Sequence, residues 1–270
     1  MPFARLDAFC DAVPRDRARA ERIGPFVLFL RNGSGWPFYA RPALGGTAPP
    51  GAADVEAVRT RQREMGAPEA FEWLPHCVPS LAATIEAAGL SVLYAPLMVL
   101  DHADLPAPIL PAGVRVRLLD PDSPSFPADC AVRRAVAQIG FGAEGTARGT
   151  AGPAQRDAIL APLPEAELAE EASRAHAGLI ASAAAESTSD GVLASGVLQR
   201  VGDVAEVVGV ATLPAARRRG LGAAVTAVLA EHARQAGVDL VFLAAGSEEI
   251  ARVYARVGFR RIGTTCIAEP

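Results

Sequence analysis

An apolar run, V-V-G-V-A-T-L at 207–213, breaks into P-A-A-R-R-R-G-L-G at 214–222 and then into an alanine-rich stretch. The apolar run has the composition of a strand. Beyond the break, Leu221, Val225, Val228, Leu229 and His232 fall on one face at helical spacing, and Gly237 is a good terminator. The spacing predicts a helix over about 221–236, so this part of the chain must fold as strand, turn, helix. The turn holds three adjacent arginines and two glycines. Charge is better solvated on an open helix face, and glycine costs backbone entropy, so local structure alone gives no reason for that choice.

The chemistry of such a turn is that of an anion site. A helix start exposes unpaired backbone N–H groups, and the helix dipole favours negative charge there. Gly220 and Gly222 let a ligand approach the backbone, and arginine adds permanent charge with bidentate hydrogen bonding to phosphate oxygens. The alternative is a basic loop with ordinary helix-start glycines. Two other phosphate motifs are excluded. A P-loop needs Gly-Lys, and all 26 basic residues here are arginine. A dinucleotide fingerprint would need glycine or alanine where Val225 stands.

The 270 residues are 50% hydrophobic, which supplies a core and excludes general disorder. A net charge of -4 argues against a broad basic nucleic-acid surface. Cys10, Cys77, Cys130 and Cys266 are scattered, with no histidine at metal-ligand spacing, so idle thiols and no metal are expected. Asp7, Asp11, Asp16 and an apolar run of only Phe26–Leu30 do not make a signal peptide, and no stretch has the length of a membrane span. A soluble, cytoplasmic protein is expected.

H-A-D-L-P-A-P-I-L-P-A-G at 102–113 has the composition of a semi-rigid linker and divides the chain into 1–101 and 114–270. In the second part, strands are expected at 114–119, 178–185, 192–198, 205–213, 239–244 and 259–267. Helices are expected at 127–139, 165–176, 221–236 and 247–257. Glycines at 142, 145, 149 and 152 make 141–153 read as a mobile loop.

A shift of 169 positions sets Gly89-Leu90 on Gly258-Phe259, Trp73 on Phe242, Leu81 on Ile250 and Gly51 on Gly220. This suggests two copies of one unit, the first reduced. In the first copy Ala48 faces Arg217, Ile85 faces Tyr254 and Pro37 faces Glu206.

The motif R-x-x-G-x-G at 217–222, with V-G-V-A-T-L-P before it and A-R-V-Y-A-R-V-G-F at 251–259 after it, resembles the GNAT superfamily of acyl-CoA-dependent N-acyltransferases. The resemblance covers 114–270, with 1–101 a degenerate copy. It implies an α/β GNAT fold: a mixed, mostly antiparallel sheet flanked by helices, in two related halves. It implies acetyl-CoA as co-substrate and transfer of an acyl group to an amine, on a small molecule or a protein. A non-catalytic acyl-CoA-binding or sensing module is the alternative; a nicotinamide dehydrogenase is a distant third. Neither nucleic acid nor membrane is implied as a partner, and a homodimer is left open.

By the same resemblance, Arg217, Arg218, Arg219, Gly220, Leu221 and Gly222 would surround the pyrophosphate, and Val210, Ala211 and Thr212 would offer strand-edge groups to the pantetheine. Ser247 stands where many relatives carry asparagine, which puts that contact in doubt. Tyr254 matches the general acid that protonates the leaving thiolate; packing under the sheet is the rival role. Glu206 is the candidate base, and simple alternation would put it on one face with Val208 and Val210; an exposed strand charge is the rival there. Glu144 is a weaker candidate for contact with the acceptor.

Overall fold

The computed structural model describes residues 2–33, 37–46, 49–100 and 110–270. Most of the expected linker, 102–109, and Ala48 lie outside the described residues. The described chain forms two compact units, Met1–Leu97 with Ile262–Pro270, and Met98–Arg261.

The first unit opens with helix α1 (Phe3–Ala12) and continues through β1 (Ala18–Ile23), β2 (Phe26–Arg31) and β3 (Ala40–Pro42). It goes on with α2 (Ala52–Glu64), β4 (Phe71–Trp73), α3 (Leu81–Ala87) and the start of β5 (Ser91–Leu100). Strands β1, β2 and β3 are antiparallel neighbours, and β3 meets β4 in parallel at Ala40 and Phe71. The all-apolar run F-V-L-F-L of β2 is buried along its whole length, as a strand covered on both faces must be. Phe26, Phe71, Trp73, Val55, Val58, Leu81 and Ile85 form the core, and each fully buried side chain of this size contributes about 1.5–3 kcal/mol.

The second unit contains β6 (Val114–Leu118), α4 (Phe126–Phe141), α5 (Pro153–Ala158) and α6 (Glu165–His176). Then come β7 (Ile180–Ser187), β8 (Gly191–Val201), β9 (Val204–Thr212) and α7 (Leu221–Gln235). β10 (Leu240–Ala244), α8 (Glu248–Ala255) and the start of β11 (Phe259–Glu269) complete it. Strands β6 to β9 form an antiparallel meander, and β10 returns parallel to β9 after α7. Val225, Leu229, Ala230 and Ala233 of α7 are fully buried in its core. The fold class is therefore the expected one, mixed α/β and mostly antiparallel.

The units divide the chain at other places than composition suggested. The last part of β11 belongs to the first unit, where Cys266 and Ala268 pair with Trp73 and Phe71 of β4 and join its core. The end of β5 belongs to the second, where Met98 and Leu100 join the other core. Under the 169-residue shift, the starts of α2 and β4 fall on those of α7 and β10, and the start of β5 falls within one residue of that of β11. Helix α5 was not expected. Its signals were Pro153 at the first helical position and Gln155, whose side chain accepts the Gly152 N–H at 2.8 Å. No helix among the described residues is long and apolar enough to cross a membrane.

Candidate active site

Strands β9 and β10 hold parallel register over only three pairs, ending at Glu206 and Phe242. β9 runs on to Thr212, paired with β8 on its other side, so its edge from Val207 onward is not claimed by β10. A bulge lies in this stretch. Val208 pairs with Val197 and Ala211 with Ser195, so Gly209 and Val210 together oppose Gly196. Gly209 has φ 62°, as the first residue of such a bulge requires.

The extra residue flips the alternation. A Cβ on Gly196 would lie 3.0 Å from Val225, 3.1 Å from Val210 and 3.3 Å from Leu229, so Val210 lies on the α7 face. Ala211 lies on the opposite face, against Gly140 of α4. Glu206 and Val208 therefore share a face with Ala211 and Leu213, not with Val210. The uniform alternation read from sequence fails at Gly209, where a glycine inside a strand was the available signal.

The turn into α7 is strained and open. Arg218 has φ 64°, the only positive φ of a non-glycine residue among those described. A left-handed residue of this kind costs on the order of 1–3 kcal/mol and clusters at functional sites. Gly220, the residue before the first helical turn, has φ 78° and needs to be glycine for that reason. Among the described residues no side chain caps α7. A Cβ on Gly222 would meet only Thr212 Oγ1 at 3.5 Å and Val210 Cγ1 at 3.6 Å, ordinary contacts, so no neighbouring protein atom demands glycine there. That bare backbone fits a ligand that comes closer than a side chain would allow, as a diphosphate on a helix start does.

The three arginines differ. The Arg217 guanidinium is directed away from the helix start: Nη2 donates to the carbonyls of Gly140 at 2.8 Å and Ala143 at 2.7 Å, and Nη1 to those of Glu144 at 3.1 Å and Ala147 at 3.3 Å. Arg218 pairs with Glu249 of α8 at 3.3 Å. Arg219 makes no hydrogen bond or ion pair with the described residues, which leaves its guanidinium for a ligand. Glu144 enters this network through its backbone carbonyl.

Three residues after β10, α8 begins with Ser247 as its cap. The Ser247 hydroxyl accepts the Ile250 N–H at 3.2 Å, which leaves its own proton to donate. Tyr254 packs on the second-unit core, its ring edge-on to Phe259 at 6.2 Å between centroids. It is part-buried, and burial pushes its phenol pKa up to about 12. The hydroxyl has no hydrogen-bond partner among the described residues. Glu206 is half-buried.

Residues 154–259, which hold the split strands, the turn and Tyr254, match the acetyltransferase (GNAT) family. That segment belongs to the GNAT family. GNAT enzymes use acyl-CoA as co-substrate and acetylate amines. The whole chain shares the fold of a GCN5-related N-acetyltransferase from Kribbella flavida, at TM-score 0.71 and 24% identity over 99% of this chain and 95% of that one. It also resembles a tandem GNAT protein from the clavulanic acid biosynthesis pathway, at TM-score 0.55 and 17% identity over 90% and 78%. No curated protein matches.

The GNAT segment differs in two ways from the part of the first unit that the 169-residue shift sets on it. At the start of α2 the Asp54 carboxylate accepts the Gly51 N–H at 2.8 Å, so a negative side chain holds the place that α7 leaves open. Strand β3 ends at Pro42, two residues past its pairing with Phe71, whereas β9 runs six residues past Glu206.

Sequence reasoning passed over Arg156 of α5, which is buried and donates to the carbonyls of Asp190 at 2.7 Å and Val192 at 2.5 Å, fixing the β7–β8 hairpin. Its other partner is the Asp157 carboxylate at 2.8 Å, but the hairpin carbonyls it holds leave no mark in a sequence.

Proposed function

We propose that the second half of the chain transfers an acetyl group from acetyl-CoA to an amine by direct attack, and that the first half is a reduced GNAT-like copy that binds no acyl-CoA. What supports this most is the parting of β9 from β10 beyond Glu206, beside an uncapped helix start whose Gly222 no protein contact explains. Val210, Ala211 and Thr212 offer edge groups to the pantetheine amides in the manner of an added strand. The backbone N–H groups of 218–222 and the Arg219 guanidinium take the pyrophosphate, and Ser247 has a proton to donate beside them. Arg218 contributes there through its backbone, since its side chain is engaged with Glu249, while the Arg217 N–H donates to Pro214 O at 3.3 Å and its guanidinium to the carbonyls after α4.

Acetyl-CoA supplies an acyl group already activated as a thioester. Glu206 accepts the proton that the attacking amine must lose, and Tyr254, whose hydroxyl has no partner among the described residues, gives its proton to the departing sulfur. Holding both substrates at one opening supplies much of the rate. A CoA-binding module without turnover is the second reading, favoured by a phenol pKa near 12, which makes Tyr254 a weak acid. A screen of amines with detection of free thiol separates the two. Turnover above the hydrolysis rate with at least one amine supports the transferase; tight acetyl-CoA binding with no productive amine supports the module.

A further inference from the structure

The segment after α4 is bound to the cofactor turn along most of its length. Four carbonyls of residues 140–147 converge on the single guanidinium of Arg217. The Gly149 N–H donates to Pro214 O at 3.0 Å, the Ala215 N–H to Ala151 O at 2.9 Å, and Arg148 to Ala215 O at 3.2 Å. Thr146 donates its hydroxyl to Glu249, the partner of Arg218. The glycines serve close packing. A Cβ would come within 2.9 Å of Ala211 from Gly140, within 2.9 Å of Pro214 from Gly149, and within 3.2 Å of Ala215 from Gly152.

Arg217 suits this task. Its two NH₂ groups present four N–H donors in one plane, matching four acceptors, where a lysine ammonium has three donors at one point. Gly140 lies in the last turn of α4, where free carbonyls and the helix dipole favour a cation. The same residue sets the backbone of the turn, with ψ 162° just before Arg218 at φ 64°.

We infer that Arg217 is a positioning residue that clamps residues 140–149 to the cofactor turn and transmits occupancy of that turn to this segment. This rests on the acyl-CoA reading above. Arg217 is then a poor candidate for a phosphate ligand, despite standing first in the motif.

The test is amide hydrogen exchange on the full chain, with and without acetyl-CoA, beside calorimetric titration of the same ligand. In the wild type, acetyl-CoA should slow exchange across 140–149 by about tenfold. In Arg217→Ala and Arg217→Lys that ligand-dependent protection should vanish, while Kd stays within about threefold, less than the loss of one charge-assisted bond would give. Arg219→Ala should do the reverse, weakening Kd by about tenfold or more and keeping the protection at saturation. The inference is overturned if Arg217→Ala weakens Kd as much as Arg219→Ala and Arg217→Lys restores it, or if protection persists in Arg217→Ala. A wild type that binds no acetyl-CoA would sink the acyl-CoA reading alone. The clamp would still be decided by ligand-free exchange at 140–149, which must rise in Arg217→Ala for it to stand.

Discussion

Glu206 and Phe242 are the last residues across which β9 and β10 keep parallel register. Beyond them the sheet opens, and the bulge at Gly209 and Val210 leaves Glu206 on the face of Ala211 and Leu213. A base at that point meets an acceptor without touching the pyrophosphate turn. Glu206→Gln should therefore lower kcat by about 10²-fold or more, the range of general-base catalysis, with acetyl-CoA affinity unchanged. Steady-state kinetics beside a titration checks this, and an unaltered kcat would return Glu206 to an ordinary strand carboxylate.

Gly222 separates stability from binding. A methyl group there meets nothing closer than 3.5 Å, so Gly222→Ala should leave the melting temperature unchanged or raise it, since alanine stabilises a helix by about 0.4–1 kcal/mol over glycine. The same methyl stands where a diphosphate would lie, so the Kd for acetyl-CoA should rise by about tenfold. Equal affinity in the variant would mean that nothing approaches that backbone.

Tyr254→Phe should keep affinity and lose about 10²–10⁴ in kcat, because only the proton donor is removed. With the phenol pushed up to about 12 by burial, the proton stays on Tyr254 throughout the working range, so a fall in kcat below pH 10 must come from another group. The linkage has a definite sign. A folded pKa above the ordinary value of about 10 gives stability that is present below pH 10 and lost as pH rises from about 10 to 12. Tyr254→Phe should flatten that loss in a pH series of melting curves. An unflattened series would show that burial does not raise the Tyr254 pKa in solution.

Gly140→Ala makes the opposite case to Gly222→Ala. In a helix the change should help, but here the new methyl meets Ala211 Cβ at 2.9 Å and Thr212 O at 3.3 Å. Overpacking of this kind costs about 1–3 kcal/mol, so the melting temperature should drop. Because the displaced atoms are the strand edge offered to the pantetheine, acetyl-CoA affinity should drop with it. A gain in stability would mean that α4 stands off β9.

Much of the second unit was legible because its elements alternate between periods of two and 3.6 with glycine at the breaks. Helix 165–176 has those bounds in the structure. What escaped has physical causes. The exchange of strand ends is invisible because β5 and β11 start within one residue of each other under the 169-residue shift, so that either reads as a good partner for β4 or β10. The bulge had only Gly209 to announce it. The role of Arg217 could not be read, because its acceptors are carbonyls more than 69 residues back in the chain, and carbonyls are the same for every residue type. For the same reason the glycines of 141–153, which read as mobility, are in part contact points where a Cβ would collide.

Acyl-CoA occupancy of one half only is the central claim, and stoichiometry on the intact chain tests it most directly. Separated halves are unsuited, because a cut near residue 101 would leave each unit without a strand end that its core uses. Titration calorimetry with acetyl-CoA should give one equivalent per chain, weakened by Arg219→Ala and untouched by Asp54→Asn at the start of α2. Two equivalents, or one that responds to Asp54→Asn and ignores Arg219→Ala, would contradict the account.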